Sequence, residues 1–528
     1  MTEAIQPSSI RDVSFDLSNS ELTAMSTHKE EHAAKLSQDS MNPSRRASDE
    51  EKAQESPQSF LVDWDGDKDP LDPRTFSTAR KWFYVAVVAV GSLLVTCTSS
   101  LYTLTYDQLI ARFGCSLEVC NLGLSLYLVG LALGPLLFSP MSEFYGRRPI
   151  YITSIFFFLI WLIPCAAAQN IQTLLVGRFL NGLSGSAFLG VAAGTVVDMF
   201  VPAQLLIPMT VFTGAPFVGP ALGPIMGGFI NSFTDWRWCF YVQIIWAAVV
   251  FLCVLITPET FHPVLLSKKA ARLRKATGDN RYHSASEKAR AGKTLAGAIL
   301  ESLYVPFKLL FLDPMIAILS TYTALLQAIL YMCFSAFPLV FGNNHGFNLW
   351  QIGLTFLGLA VGNVIACFCN PLWHKQWMGS IAKEKAKHGA DYKPQPELRL
   401  PPAIVGGPML TGALFWFAWT TYSSVHWIVP IIATVFFSTS FFFLFQGIWT
   451  FLVAAYPKYA ASVMAVNTTT RCLLAAVFPL FTVQMYDNLD YQWASCLIAF
   501  LTLAMAPFPF IFYKFGSTMR AKSKFTHT

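Results

Sequence analysis

Charge is what this chain has least of. Asp, Glu, Lys and Arg together make up 13% of its 528 residues, against 54% apolar and 15% aromatic, whereas an ordinary soluble domain carries about 25% charge. So few charges cannot cover the water-facing surface of a protein this size, which excludes a soluble enzyme of several domains. The short patterns that carry common chemistry are missing too: no HExxH, no phosphate-binding GxxxxGK[ST] loop, no GxSxG elbow, and no CxxC or His-rich zinc spacing. Metal-assisted hydrolysis, ATP-driven pumping and acyl transfer lose their usual residues together. The chain is therefore read as not an enzyme, with no metal and no cofactor. A disulfide framework is also absent. Of the eleven cysteines, Cys97, Cys165, Cys253, Cys333, Cys367, Cys369, Cys472 and Cys496 sit inside apolar runs as small packing residues. Cys115 and Cys120, in FGCSLEVC after the first run, are the pair placed to meet on an oxidising outer face.

What is present is lipid-soluble sequence. Mean hydropathy is +0.46, although residues 1–60 are rich in Ser, Glu, Asp and Gln and are expected to be a disordered cytoplasmic tail. That tail has no cleavable signal, so the first apolar run is expected to direct insertion. Arg45, Arg46 and Ser48 form a basic-directed phosphorylation pattern, with an unmodified tail as the plainer reading. Twelve apolar runs follow, at 82–106, 119–141, 149–168, 173–199, 205–230, 237–257, 314–341, 350–372, 403–423, 427–456, 460–483 and 491–513. Each suits the roughly twenty residues that a helix needs to cross a bilayer. They are continuous, not alternating with period two, so helices are expected and a barrel is not.

Lys and Arg set the direction. With the amino terminus inside, the connection after span six carries Lys268, Lys269, Arg272, Arg274, Lys275, Arg281, Lys288, Arg290, Lys293 and Lys308. The connection after span eight adds Lys375, Lys383, Lys385, Lys387, Lys393 and Arg399, and the carboxyl tail adds Lys514, Arg520, Lys522 and Lys524. Outer connections hold little beyond Arg112 and Arg237. Both termini are expected in the cytoplasm, and the net charge of +6 is read as inside-positive topology, not nucleic-acid binding. The layout is a tail at 1–60, a six-helix bundle at 61–257, a basic cytoplasmic loop at 258–313, a second bundle at 314–515 and a tail at 516–528. One echo supports two halves: Gly130-Leu131-Ala132-Leu133-Gly134 in span two recurs as Gly358-Leu359-Ala360-Val361-Gly362 in span eight. Glycines four apart share a helix face and permit close backbone approach, so chance reuse of a packing motif is the alternative.

Several segments carry a family resemblance. Ser139-Pro140-Met141-Ser142-Glu143-Phe144-Tyr145-Gly146-Arg147-Arg148-Pro149, between spans two and three, resembles the signature loop of the major facilitator superfamily. Arg178 and Gly182 in LLVGRFLNG resemble its span-four signature, and Gly214 to Gly228 in span five is similar to the antiporter motif of twelve-span drug:proton antiporters. DPLDPRTFSTARKW, Pro258-Glu259-Thr260 and NTTTRCLLAAVFPLF resemble the fungal branch that expels azoles, polyamines and polyketide toxins such as cercosporin. The resemblance covers about residues 61–525. It implies an all-α membrane protein of twelve transmembrane helices in two six-helix bundles, working by alternating access through a central cavity, and an exporter driven by the proton gradient. A nutrient symporter or facilitator on the same fold is the alternative.

The residues themselves suggest roles. Gly219, Gly223 and Gly227 recur every four residues, and Pro216, Pro220 and Pro224 remove backbone donors, so span five reads as a gating helix, with tight packing as the alternative. Glu143 is within reach of Arg147 or Arg148, and by resemblance the Gly146-containing loop is a conformational latch; a solvated turn is the alternative. An Arg at mid-bilayer costs about 2.5 to 3.5 kcal/mol on insertion scales, which singles out Arg178 near Asn181 and Arg471 one turn after Asn467. Both are expected to face a shared cavity, with hydrogen bonds to backbone carbonyls as the alternative. Further cavity candidates are Tyr102, Tyr106, Gln327, Tyr331, Phe334, Asn363, Gln446 and Trp449. No Asp, Glu or His lies in the middle of a span. The expected cargo is therefore a neutral or anionic aromatic small molecule ahead of a polycation, and Asp107, Glu143 and Asp198 are the proton-coupling candidates. The expected setting is the plasma membrane, with the vacuolar membrane as the other choice, and the chain is expected to act as a monomer.

Overall fold

The structure, a computed structural model, describes residues 60–66, 69–201, 204–290, 294–389, 394–523 and 525. The polar tail with Arg45, Arg46 and Ser48 lies outside them. Among the described residues, eleven helices are long and apolar enough to cross a membrane. In chain order they are α1 (Thr78–Phe113), α2 (Leu117–Tyr145), α3 (Arg147–Ala166), α4 (Ile171–Met199), α5 (Leu206–Phe233), α6 (Arg237–Ile256), α7 (Pro314–Asn343), α8 (Leu349–His388), α9 (Pro401–Ala418), α10 (Ile428–Ala455) and Ala460–Ala521. The last is two helices. Asp490 takes φ 57° and ψ 160°, outside the helical region. The Tyr486 and Ser495 hydroxyls lie 3.0 Å apart, whereas nine residues of unbroken helix rise about 13.5 Å. The chain therefore turns back at Asp490, and α11 (460–489) and α12 (491–521) complete the twelve expected segments.

Helix ends follow local chemistry. Asp313 caps α7 by accepting from the Met315 and Ile316 amides, with Pro314 at the first helical position. Asn348 and Gln351 form a capping box at the start of α8. The sequence expects span eight to stop near residue 372, but α8 continues as a polar helix to His388 because the next helix-ending residue is Gly389, at φ 93°. The expected loop at 258–313 is largely helical, with His262–Thr277, Ala285–Arg290 and Leu295–Leu312.

Two compact units emerge. One comprises Asp63–Lys269 and Ser286–Thr528 and holds all the crossing helices. Ahead of α1, the buried Lys269 ammonium reaches Asp69 at 2.8 Å, Asp65 at 2.9 Å and the Asp63 carbonyl at 2.9 Å. The other unit, among the described residues, comprises Phe60–Val62 and Ala270–Ala285. In it Leu61 pairs with His283, and Arg281 covers the Phe60 ring at 4.1 Å.

Within the larger unit the repeated glycines do equivalent work. An added Cβ at Gly130 would lie 2.3 Å from the Phe179 carbonyl of α4, and one at Gly134 would overlap the Ser186 hydroxyl. In the second half, a Cβ at Gly358 would meet the Thr434 hydroxyl and, 2.8 Å away, the Ile431 carbonyl of α10; at Gly362 it would meet the Val435 carbonyl at 2.4 Å. So α2 packs on α4 as α8 packs on α10, at matching places in each half. Of the α5 glycines, Gly219, Gly223 and Gly227 stay inside their own half and face α1.

The halves meet along three seams. Ser99 of α1 and Tyr331 of α7 share a 2.8 Å hydroxyl contact. On α2 and α11, Ser125 donates to the Ala476 carbonyl at 2.6 Å and Gln484 to Glu118 at 3.1 Å, and Thr469 donates to the Ala132 carbonyl. Between α5 and α8, Gly228 fits against Leu349, Trp350 and Gly353 at the end remote from both termini, Asn363 donates to the Phe217 carbonyl, and Asn370 donates to Thr210. The remote end, outer by the charge pattern, is therefore closed along the α2–α11 and α5–α8 seams.

Candidate functional site

The turn between α2 and α3 is built around a glycine that no other residue replaces cheaply. Gly146 has φ 99°, and an added Cβ would lie 2.3 Å from the Glu259 carboxylate. Glu259 follows α6 and accepts from the Arg147 and Arg148 amides at 2.8 and 3.2 Å, so it caps α3 across the half. The Arg147 side chain reaches Asp198 on α4 at 3.3 Å and Ser142 at 2.8 Å, and covers the Phe261 ring at 4.4 Å. Arg148 donates to the Leu255 carbonyl at 2.9 Å. Glu143 is exposed. The carboxylates seen to hold the turn are Glu259, at the Arg147 and Arg148 amides, and Asp198, at the Arg147 side chain, which points toward α4 and α6. Glu259 was visible only as part of Pro258-Glu259-Thr260, with no role attached.

At the end that holds both termini, the second half has a counterpart with the charges exchanged. Arg520 at the end of α12 grips buried Glu397 before α9 with two bonds of 2.8 and 3.0 Å. Asp313, also buried, accepts from Tyr456 at 2.8 Å and from Ser523. Sequence reading assigned none of these residues a role, because charges near span ends look like ordinary solvated boundaries.

Arg178 is enclosed, at 1% exposure. Its guanidinium donates to the carbonyls of Thr98 at 2.8 Å, Ser99 at 3.2 Å and Gly123 at 3.4 Å, and lies between the rings of Tyr102 and Tyr127 at 4.4 and 4.5 Å. The acceptors are available because α1 changes to a tighter 3-10 turn over Tyr102–Thr105, where the regular i to i−4 bonding lapses. Asn181 on the same helix donates to the Phe158 carbonyl. Tyr102 and Tyr106 pack edge-on at 5.4 Å within the same half. Arg178, Tyr102 and Tyr106 therefore form one packed group, in which Arg178 bonds backbone carbonyls, while Asn181 is tied to α3.

Arg471 is in a different setting. Its guanidinium lies 5.2 Å from the Trp449 ring centre and 5.6 Å from that of Phe445. Its Nε is buried without a hydrogen-bond partner among the described residues. Trp449 donates to Asn467 at 2.9 Å, and Asn467 donates to Thr323 at 2.7 Å, which fixes the indole beside the cation. Phe217 of α5 enters this group from the other half, with ring centres 5.4 Å from Phe442 and Phe445 and 5.8 Å from Trp449. Aromatic faces meet a cation at the junction of the halves, where α5 of one half and α10 and α11 of the other contribute. Phe217 and Phe445 escaped the sequence reading because a phenylalanine in an apolar run looks like core.

The other candidates divide between these places. Tyr331 is buried, pairs with Ser99, and packs edge-on to Phe334 at 5.2 Å; Ser99 also gives its carbonyl to Arg178, so a chain of contacts links Arg178 to the second half. Gln327 lies one turn before Tyr331, with 8% exposure. Gln446 is half-buried one turn before Trp449 and Thr450. Asn363 joins the α5–α8 seam. Asp107 is exposed in the short helical turn Tyr106–Phe113. Arg178 and Arg471 do not share one cluster: the first is held within α1, α2 and α4, and the second sits among α10, α11 and α5.

Twelve crossing helices in two matched halves, with a cation and aromatic rings at their junction, define a polytopic membrane carrier. The chain belongs to the major facilitator superfamily, whose family model matches residues 88–479. It is 47% identical to "Efflux pump atB" of Aspergillus terreus over 88% of this chain and 90% of that one. It is 38% identical to "Probable drug/proton antiporter YHK8" of Saccharomyces cerevisiae, over 97% of this chain and 98% of that one. Among solved structures, the partially occluded inward-open xylose transporter XylE from E. coli superimposes with a TM-score of 0.58 at 16% identity, covering 83% of this chain and 98% of that one. That likeness is one of fold.

Proposed function

We propose that this chain exports a small organic compound by proton antiport with alternating access, and that the compound is a neutral or anionic aromatic molecule. The observation that carries the cargo class is Arg471, a cation beside Trp449, Phe445 and the cross-half Phe217; its buried Nε has no hydrogen-bond partner among the described residues. A ring can stack there while an electron-rich oxygen meets the guanidinium. The direction of transport rests on relatives named as an efflux pump and a drug/proton antiporter. In this reading the chain acts as a monomer in the plasma membrane with both termini in the cytoplasm, following its Lys and Arg distribution. The proton gradient takes the place of a cofactor. Asp198, half-buried against Arg147, is the carboxylate best placed to couple a proton to the cytoplasmic turn, since its protonation would weaken that ion pair. The test is cellular accumulation of labelled aromatic acids with and without the protein: a fall supports export, and a rise supports uptake instead.

A further inference from the structure

The first outer connection places two cysteines beside each other. Cys115 follows Gly114, which ends the short helix Tyr106–Phe113 in the left-handed conformation at φ 61°. Cys120 lies in the first turn of α2, facing inward with 0% exposure. Their sulfurs are 3.5 Å apart. A disulfide needs about 2.05 Å, so side-chain rotation and a small loop adjustment suffice to close the bond. The tight turn from Ser116 brings the sulfurs together; the Cys120 amide is already bonded to the Ser116 carbonyl at 3.2 Å.

We infer that Cys115 and Cys120 form a disulfide in the mature protein, a covalent modification of the first outer connection. The inference rests on the orientation proposed above, in which this connection is delivered through the oxidising secretory compartment. The chemistry is thiol–disulfide exchange with an oxidised dithiol protein of that compartment. The Cys115 thiolate attacks the donor's disulfide to give a mixed disulfide. The Cys120 thiolate then attacks the Cys115 sulfur and releases the donor as a dithiol. Two electrons and two protons pass to the donor, and one S–S bond replaces another.

The position gives the bond a role. One turn below Cys120, Gly123 offers its carbonyl to Arg178 and leaves room for the Tyr102 hydroxyl, which an added Cβ would meet at 2.5 Å. The preceding helical turn is fastened by Gln108, which donates to the carbonyls of Asn231 and Thr234 and accepts from the Trp236 amide at 2.6 Å. A Cys115–Cys120 bond joins these two anchored pieces, so the outer ends of α1, α2, α5 and α6 are held together over the Arg178 group.

The experiment uses the full-length protein in intact cells. Non-reducing peptide mass spectrometry after rapid alkylation is expected to give one cross-linked species containing both cysteines, with neither alkylated until reductant is added. Reductant is expected to lower the thermal midpoint of the purified wild-type protein and to leave that of the Cys115→Ser variant unchanged. Orientation is read separately, by labelling exposed Arg112→Cys with a membrane-impermeant maleimide in a Cys115→Ser, Cys120→Ser background. If Arg112→Cys labels from outside while wild-type Cys115 and Cys120 are both alkylated without reductant, the disulfide is refuted and the orientation stands. If Arg112→Cys labels only after permeabilisation, the orientation is wrong and the inference falls with it.

Discussion

Replacing Gly228 with alanine tests how the outer closure is built. The new Cβ would lie 2.9 Å from the Leu349 carbonyl, 3.1 Å from the Gly353 Cα and 3.3 Å from the Trp350 Cα, all backbone atoms of α8 and its approach. No side chain can swing aside, so α5 and α8 must separate by a few tenths of an ångström. Overpacking of this kind costs about 1–3 kcal/mol. Alternating access opens this seam, so the cost falls on the outer-closed state and is relieved when it opens. The outer-open population should then rise by roughly 5- to 150-fold. An Asn348→Cys reporter at the outer start of α8 reads this as the rate of labelling by an impermeant maleimide. Gly412→Ala, where an added Cβ meets nothing within 4 Å, should leave the rate unchanged. Gly223→Ala presses on α1 within one half, with the Leu101 amide 2.7 Å from the new Cβ, and should lower stability without raising the labelling rate. A properly inserted Gly228→Ala protein that labels at the wild-type rate would refute the reasoning.

Other perturbations separate the charged groups. Arg471→Ala should insert normally and lose at least tenfold in export of an aromatic acid, with partial rescue by Arg471→Lys; Arg178→Ala, which strips bonds from three buried carbonyls, should instead lose about 1–3 kcal/mol or more of stability, measured as a fall in thermal midpoint. The Lys269 ammonium bonded to Asp69 holds its carboxyl down at about 2, below the ordinary carboxylate range. This depressed acid contributes stability above pH about 4 that is lost as pH falls toward 2, so hydrogen exchange over residues 63–72 should accelerate across that window in the wild type and be fast throughout in Lys269→Met. Arg520→Gln leaves buried Glu397 without its cation and should cost about 3–5 kcal/mol, with Glu397→Gln in the same chain restoring part of the lost thermal midpoint.

The architecture was largely legible because bilayer thickness imposes a length and an apolar pattern that local sequence must obey. The twelve runs, the matched glycine pairs and the two halves all came from such local signals. Partner identity did not. Gly219, Gly223 and Gly227 announce a close helix contact, but only the fold reveals that α1 is the partner and that Gly228 faces the other half. Likewise Arg178 and Arg471 look alike in sequence as cations inside apolar runs. They differ because a 3-10 turn in α1 frees carbonyls for Arg178, whereas Arg471 meets aromatic rings gathered from α10 and α5. The turn between α2 and α3 was found through Gly146 and Arg147, while its acidic partners, Glu259 and Asp198, lie 112 and 51 residues from Arg147 and required the folded chain.

The central claim is proton-driven outward transport through the Arg471 site, and flux in proteoliposomes of known orientation tests it most directly. The account predicts that a proton gradient drives an aromatic acid against its own gradient in the opposite direction, that an uncoupler abolishes this, and that Arg471→Ala removes it while the protein stays folded. Equilibrative flux unaffected by the uncoupler, or movement of the compound in the same direction as the protons, would contradict it.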